Sequence, residues 1–146
     1  MRRLMFRYFF VFFGVLALAA CANRSTATLS PGENLGDAKR FYVVTLPADE
    51  RGIDRLISNR LNEMGYRSTV GRNEATPDDT EVVVTYADKW MWDITMYMIE
   101  LTITFRNAES TFPILVGNSY HTSLTRLSPE EMVDEVLTKM FTEAKS

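Results

Sequence analysis

The sequence has only one cysteine and one histidine among its 146 residues. A single cysteine excludes an internal disulfide, and one cysteine with one histidine is too few for a Cys/His zinc cluster. Neither a glycine-rich phosphate-binding loop nor a Gly-x-Ser-x-Gly nucleophile motif occurs. The sequence therefore predicts no metal site and no cofactor.

Basic residues are not in excess either, because 16 Lys and Arg stand against 19 Asp and Glu. Apolar residues make up 46% of the chain, which is enough for a packed core, and the length leaves no room for two ordinary domains. The acidic balance gives no support for a nucleic-acid surface or for a polybasic patch on anionic lipids. We therefore expect no nucleic-acid partner.

The first twenty residues have the features of a secretory signal. Arg2, Arg3 and Arg7 precede an uncharged apolar run over residues 8–20. As a helix this run would span roughly 20 Å, short of the ~30 Å hydrocarbon core of a bilayer, and small residues close it. The short length disfavours the alternative, a stable transmembrane anchor. We therefore predict a signal peptide over residues 1–20, whose removal leaves 13 basic and 19 acidic residues.

The signal ends in the sequence Leu18-Ala19-Ala20-Cys21, which resembles the lipobox of bacterial lipoproteins. The resemblance implies that the Cys21 thiol receives a diacylglycerol, that cleavage occurs before it, and that its freed amine is acylated. Two or more acyl chains hold a protein stably on a membrane, whereas one does so only marginally. Because no Asp follows Cys21, the pattern resembles outer-membrane sorting, on the periplasmic side. The alternative is ordinary cleavage after Ala19, which would leave a free thiol.

After the signal, the chain reads as a polar segment followed by one domain. Residues 22–38 are small and polar, are interrupted by Pro31, Gly32 and Gly36, and show neither helical nor strand periodicity. We interpret residues 21–38 as the lipidated cysteine and a flexible tether, and residues 39–146 as a periplasmic domain. A chain that starts near Asp37 should then contain everything needed for folding.

Apolar periodicity in this domain predicts five strands and two helices. Asp49 and Ser128 are the expected N-terminal caps of the helices, and Gly65 should end the first one. The order β-α-β-β-β-β-α predicts an α+β fold, with a mixed or antiparallel sheet of four to five strands and both helices on one face. The strands are expected at residues 41–46, 66–70, 81–87, 94–106 and 112–121.

This order of elements is similar to that of small envelope-assembly lipoproteins, including the lipopolysaccharide-assembly lipoprotein, and to that of the N-terminal domain of the Tol-Pal β-propeller protein. The resemblance covers about residues 41–141. It implies a tethered binding or assembly accessory in the cell envelope.

Catalysis is not expected, and we predict that the protein is not an enzyme. His121 is the only imidazole, and Ser119 and Ser123 lie near it in sequence, which leaves a small hydrolase as a remote alternative. Such an enzyme would need one of these serines within hydrogen-bond reach of His121 and an acid behind the histidine. Asp88 and Asp93 could approach each other across a hairpin, but they lack the further oxygen donors of a calcium site.

The remaining unusual feature is a stretch rich in tryptophan and methionine, which we predict to contain a binding surface. Large, adaptable Trp and Met side chains are enriched at such surfaces. The alternative is that the rings pack over the end of the sheet, and we expect at least one tryptophan to be exposed. The partner would be an envelope protein or a lipid, and a lipid- or amphiphile-carrying lipoprotein is the second functional hypothesis. The candidate residues are Trp90, Met91, Trp92, Ile94, Met96 and Met98.

Overall fold

A computed structural model describes residues 23–146, which form a six-stranded mixed sheet covered by two helices. The helices pack against each other and against the sheet. The strands lie side by side in the order β1-β6-β5-β4-β2-β3. In chain order, the elements are β1 (Arg24–Leu29), β2 (Arg40–Val44), α1 (Ile53–Glu63), β3 (Arg67–Gly71), β4 (Val82–Trp92), β5 (Met96–Asn107), β6 (Pro113–Tyr120) and α2 (Pro129–Glu143).

The α+β class is confirmed, but the sheet has six strands and not four to five. The additional strand is β1, which lies in the segment that we predicted from the sequence to be a flexible tether. It pairs antiparallel with β6 along its whole length, from Arg24 opposite Tyr120 to Leu29 opposite Leu115. The structured domain therefore begins well before residue 39.

The sheet is mixed because its two halves form in different ways. Strands β4, β5 and β6 make an antiparallel meander, as expected from their short connections. Strand β2 lies parallel to both β3 and β4, and α1 provides the crossover from β2 to β3. The parallel strands occupy one side of the sheet and the meander with β1 the other.

Only one of the two helices begins at the predicted side-chain cap, because the N-cap of α1 is Gly52, which makes no side-chain cap, and not Asp49. The Asp49 carboxylate accepts hydrogen bonds from the backbone N–H groups of Arg51, Gly52 and Asp54, so it stabilises a turn, and α1 begins only at Ile53. At α2 the expected capping box is confirmed, with reciprocal bonds between Ser128 and Glu131.

The core fills the space between the sheet and the helices. Its centre is an aromatic cluster in which Phe41 packs edge-on against Phe105. Helix α2 approaches β6 closely at Gly117, where a Cβ atom would lie 2.5 Å from Cγ of Met140. A side chain at residue 117 would push α2 away from the sheet. Among residues 23–146, no helix is both long enough and apolar enough to cross a bilayer.

Candidate functional site

The tryptophan-methionine stretch forms the far end of the β4–β5 hairpin. The sequence suggested a connection at residues 88–93, but β4 continues through Trp92 and the turn spans only residues 93–95. The last strand pair is Trp92 opposite Met96. Strand β2 pairs with β4 only as far as Val84, so this part of the hairpin extends beyond its neighbour.

Residues 91–96, called the hairpin tip below, expose several large apolar side chains. Trp92 is 69% exposed and Ile94 is 89% exposed, while Met91 and Met96 are about half exposed. The expectation of at least one exposed tryptophan is therefore confirmed. Such side chains are normally scattered singly on a protein surface, so their grouping on one turn is unusual.

Met98, however, belongs to the core, and its assignment to the exposed surface was wrong. Its side chain is only 1% exposed. The reason is an irregularity in the strand register: Lys89 faces Glu100 but Trp90 faces Met98, so Ile99 is skipped. A single skipped residue moves all the following side chains to the opposite face of the sheet. Met98 thus faces the helices beside Trp90.

Trp90 lies half-buried at the base of the tip and is held by two polar neighbours. Its indole Nε1 donates to Oδ2 of Asp88, and the Arg51 guanidinium lies 4.0 Å from the ring centroid. Such a cation–π contact orients the ring without burying the charge. Trp90 packs against the hydrophobic core. Of the two tryptophans, Trp92 is the one with a largely exposed side chain.

The turn that carries Arg51 is fixed by Asp49. The Tyr86 hydroxyl donates to Oδ2 of Asp49 at 2.6 Å. Burial alone would raise the pKa of Asp49, but the hydrogen bonds from Tyr86 and the turn amides lower it below its usual value. Burial and the same carboxylate raise the pKa of Tyr86. Asp49 therefore stays ionised, and Arg51 is held over the tryptophan ring.

A second arginine, which the sequence did not single out, supports the other side of the tip. Arg126 Nη1 donates to Oγ1 of Thr95 at 2.8 Å, and Nη2 lies 3.2 Å from Oδ2 of Asp93. Its guanidinium also covers the ring of Tyr97 at 4.6 Å. A bond from the Ile94 N–H and the nearby Arg126 lower the pKa of Asp93. The only charge in the hairpin tip is therefore ion-paired.

The described chain starts beside this tip. In the ladder, Arg24 lies opposite Tyr120, which lies opposite Glu100, and Glu100 faces Lys89 at the base of the tip. Asn23 Oδ1 accepts a hydrogen bond from Thr125 of the short 3₁₀ turn Ser123–Thr125. Leu124, in that same turn, is 94% exposed. Asn23, the first described residue, and the exposed apolar side chains thus share one end of the sheet.

Cys21 lies outside the described residues. Two peptide bonds separate it from Asn23, and each spans about 3.8 Å between Cα atoms. Covalent geometry therefore keeps the Cα of Cys21 within about 8 Å of that of Asn23.

The histidine lies in a polar cluster on the helix side of β6. His121 Nε2 lies 3.0 Å from Oε2 of Glu135, and the hydroxyl of Ser119 donates to the same oxygen. A hydrolase requires the histidine to accept the serine proton and an acid to bind the other ring nitrogen. Here the acid binds both groups through one oxygen. These hydrogen bonds therefore differ from the serine–histidine–acid arrangement of the hydrolase alternative.

Neither a scan against protein-family models nor a search of curated proteins gives a match. The fold does have solved counterparts. Two crystal forms of PelC from Paraburkholderia phytofirmans, both dodecamers, match with TM-scores of 0.59 and 0.58 at 12% and 11% identity. They cover 80% and 85% of this chain and 98% of PelC. A PDZ domain protein from Parabacteroides distasonis matches with a TM-score of 0.51 at 10% identity, over 81% of this chain and 35% of that protein. These similarities show a shared fold.

Proposed function

We propose that the protein is a lipoprotein anchored through Cys21 in the bacterial outer membrane, and that its periplasmic domain is a non-catalytic binding or assembly accessory. The observation that carries the proposal is the single cysteine of the chain, placed at the end of a signal-like segment in Leu18-Ala19-Ala20-Cys21. The start of β1 three residues later supports it, because a fold that begins there leaves Cys21 next to the domain.

The exposed apolar side chains of the hairpin tip support a binding role better than the clefts of the domain do. A cavity of about 680 Å³ beside the end of β2 is lined in part by Asp49, Arg72 and Glu74. The groove of about 480 Å³ between the helices is lined in part by Arg60 and Asp134. Both are open surface clefts whose linings combine charged side chains with apolar ones, such as Leu46 in the first and Leu56 in the second, whereas a ligand site encloses most of its ligand. The alternative role as a lipid carrier is therefore less well supported than surface binding.

The lipid anchor is tested by the mass of the mature N-terminus. In the wild-type protein, the first residue should be Cys21 carrying a diacylglycerol and an acyl chain. Cys21→Ser should abolish this modification, because a hydroxyl does not form the thioether, and should leave unprocessed precursor or soluble periplasmic protein. No other thiol can take its place, since the chain has one cysteine. An unmodified thiol in the wild-type protein would end the lipoprotein proposal.

Self-association is a second candidate for the assembly role. Two of the similar structures are dodecamers. In this chain β1 and β3 form the two edges of the sheet, and unpaired edge strands are sites where further chains add. We expect native mass spectrometry of the mature protein in mild detergent to give a species of several copies. A monomer across the accessible concentration range would remove this candidate and leave the anchor proposal unchanged.

A further inference from the structure

We propose that the hairpin tip and Leu124 insert into the interfacial region of the bilayer that carries the Cys21 lipid, so that the domain has a second, non-covalent membrane contact. This inference rests on the proposed lipid anchor. In this inference, the partner of the exposed apolar side chains is a phospholipid surface.

The exposed apolar side chains are concentrated at one end of the sheet. Among residues 23–146, seven large hydrophobic side chains are exposed, and five of them lie at this end of the sheet. The other two, Val70 and Phe112, lie elsewhere, with Phe112 at the opposite end of β6. A concentrated apolar end marks an interaction site, whereas scattered side chains need no explanation. The five residues are Met91, Trp92, Ile94, Met96 and Leu124.

Asn23, from which the chain leads to Cys21, lies at this same end of the sheet. Asn23 is hydrogen-bonded to Thr125, the neighbour of Leu124, and Arg126 links the same loop to Asp93 and Thr95 in the tip. Only Ala22 separates Asn23 from Cys21. A lipid on Cys21 therefore brings the membrane surface to this end of the domain, within about two residue lengths of Asn23. No long linker separates the tip from the bilayer.

The charged side chains at and beside the tip are paired, and a membrane interface tolerates apolar and amphipathic side chains better than isolated charges. Asp93 is paired with Arg126, and Lys89 at the base of the tip donates to Glu100 at 2.6 Å. Asp88 accepts from the Trp90 indole. Trp92 is the exposed ring, and tryptophan prefers the headgroup level of bilayers. The tip thus presents apolar side chains with its charges paired behind them.

The experiment uses the lipidated mature protein, reconstituted in vesicles of phosphatidylethanolamine and phosphatidylglycerol that contain lipids brominated near the headgroup. Trp90→Phe leaves Trp92 as the only tryptophan. We expect the Trp92 emission of the lipidated protein in vesicles to be shifted to the blue relative to that of the unlipidated chain in detergent-free buffer. The brominated lipid should quench most of this emission. Should Trp90→Phe fail to fold, the difference between wild type and Trp92→Phe gives the same signal.

A matched control places the only tryptophan at the opposite end of the sheet. The variant Trp90→Phe/Trp92→Phe/Phe112→Trp carries its ring beside the start of β6, at a position that is 54% exposed against 69% for Trp92. Its emission should be unaffected by the brominated lipid. Equal quenching of both variants would overturn the proposal, since it would show that the domain has no fixed orientation on the membrane.

The remaining outcomes separate this inference from the anchor proposal. If mass spectrometry shows the lipid on Cys21 but Trp92 is not quenched, the second membrane contact is wrong and the lipoprotein proposal stands. If Trp92 is instead shielded from iodide in the absence of vesicles, its occupant is another protein surface, and the inference again fails. If Cys21 carries no lipid, both proposals fail together.

Discussion

A chain that begins at Asp37 is expected not to fold cooperatively, whereas a chain that begins at Asn23 should. The shorter chain lacks β1, which pairs with β6 over six residues and contacts α2. It also lacks Leu35, which is buried in the core. Burying a leucine side chain stabilises a protein by about 1.5–3 kcal/mol, and small domains have a total stability of only about 5–15 kcal/mol. Loss of a whole strand with its packing therefore removes most of that stability.

The effect on β6 adds to the loss. Without β1, the backbone groups of β6 that face it lose their partners, and β6 becomes a sheet edge beneath α2. Ser30 also bonds Pro113 and Ile114 at the start of β6, and these bonds disappear as well. Circular dichroism during thermal unfolding measures the outcome. A sigmoidal transition for the Asp37 chain, with a midpoint within a few degrees of that of the Asn23 chain, would contradict the role assigned to β1.

The sequence did not reveal β1 because the side chains that face the helices are small. Ser25, Ala27 and Leu29 point to the inner face of the sheet, and only the last is a large apolar residue. Ala27 lies opposite Gly117, where α2 comes close to the sheet, so a large side chain would not fit. Strong apolar alternation is therefore absent at the point where close packing requires small residues. The alternation with Thr26 and Thr28 was the available signal.

Other elements were predictable because their signals are local. The capping box at Ser128 depends on two residues only three apart, and the helix end at Gly65 depends on a single glycine. Both occur where expected. The strands of the meander follow from their long period-two patterns. The parallel position of β2 between β3 and β4 depends instead on how distant segments pair, which local patterns do not determine.

The candidate site was partly predictable for the same reason. Composition identified the tip residues, which are adjacent in the chain. It could not identify Leu124 and Arg126, which come to the tip from a loop roughly thirty residues later. It also could not place Asn23 beside them, since that depends on the pairing of β1. The expected exposed surface was therefore found without its neighbours, and Met98 was included in error because the skipped Ile99 is not visible in the pattern.

The register at Ile99 leads to the second large effect: Met98→Ala should destabilise the domain by about 2–5 kcal/mol, as expected for a buried methionine. Met96→Ala, in the same strand, should change the stability by only about ±0.5 kcal/mol, as for most surface substitutions. Met98 is 1% exposed and Met96 is 45% exposed. Both variants make the same chemical change two residues apart in β5, so the low strand preference of alanine affects them similarly.

The comparison is a direct test of the register, because the two possible pairings predict different results. If Glu100, Met98 and Met96 all faced away from the helices, as uninterrupted alternation requires, both alanine variants would lie in the near-neutral range. With Ile99 skipped, Met98 turns toward the helices next to Trp90, and its truncation leaves a cavity under the base of the tip. Urea unfolding of each variant, with the slope m unchanged, gives the two free energies. Equal and small effects would show that the register is uninterrupted and that Met98 belongs to the exposed surface after all.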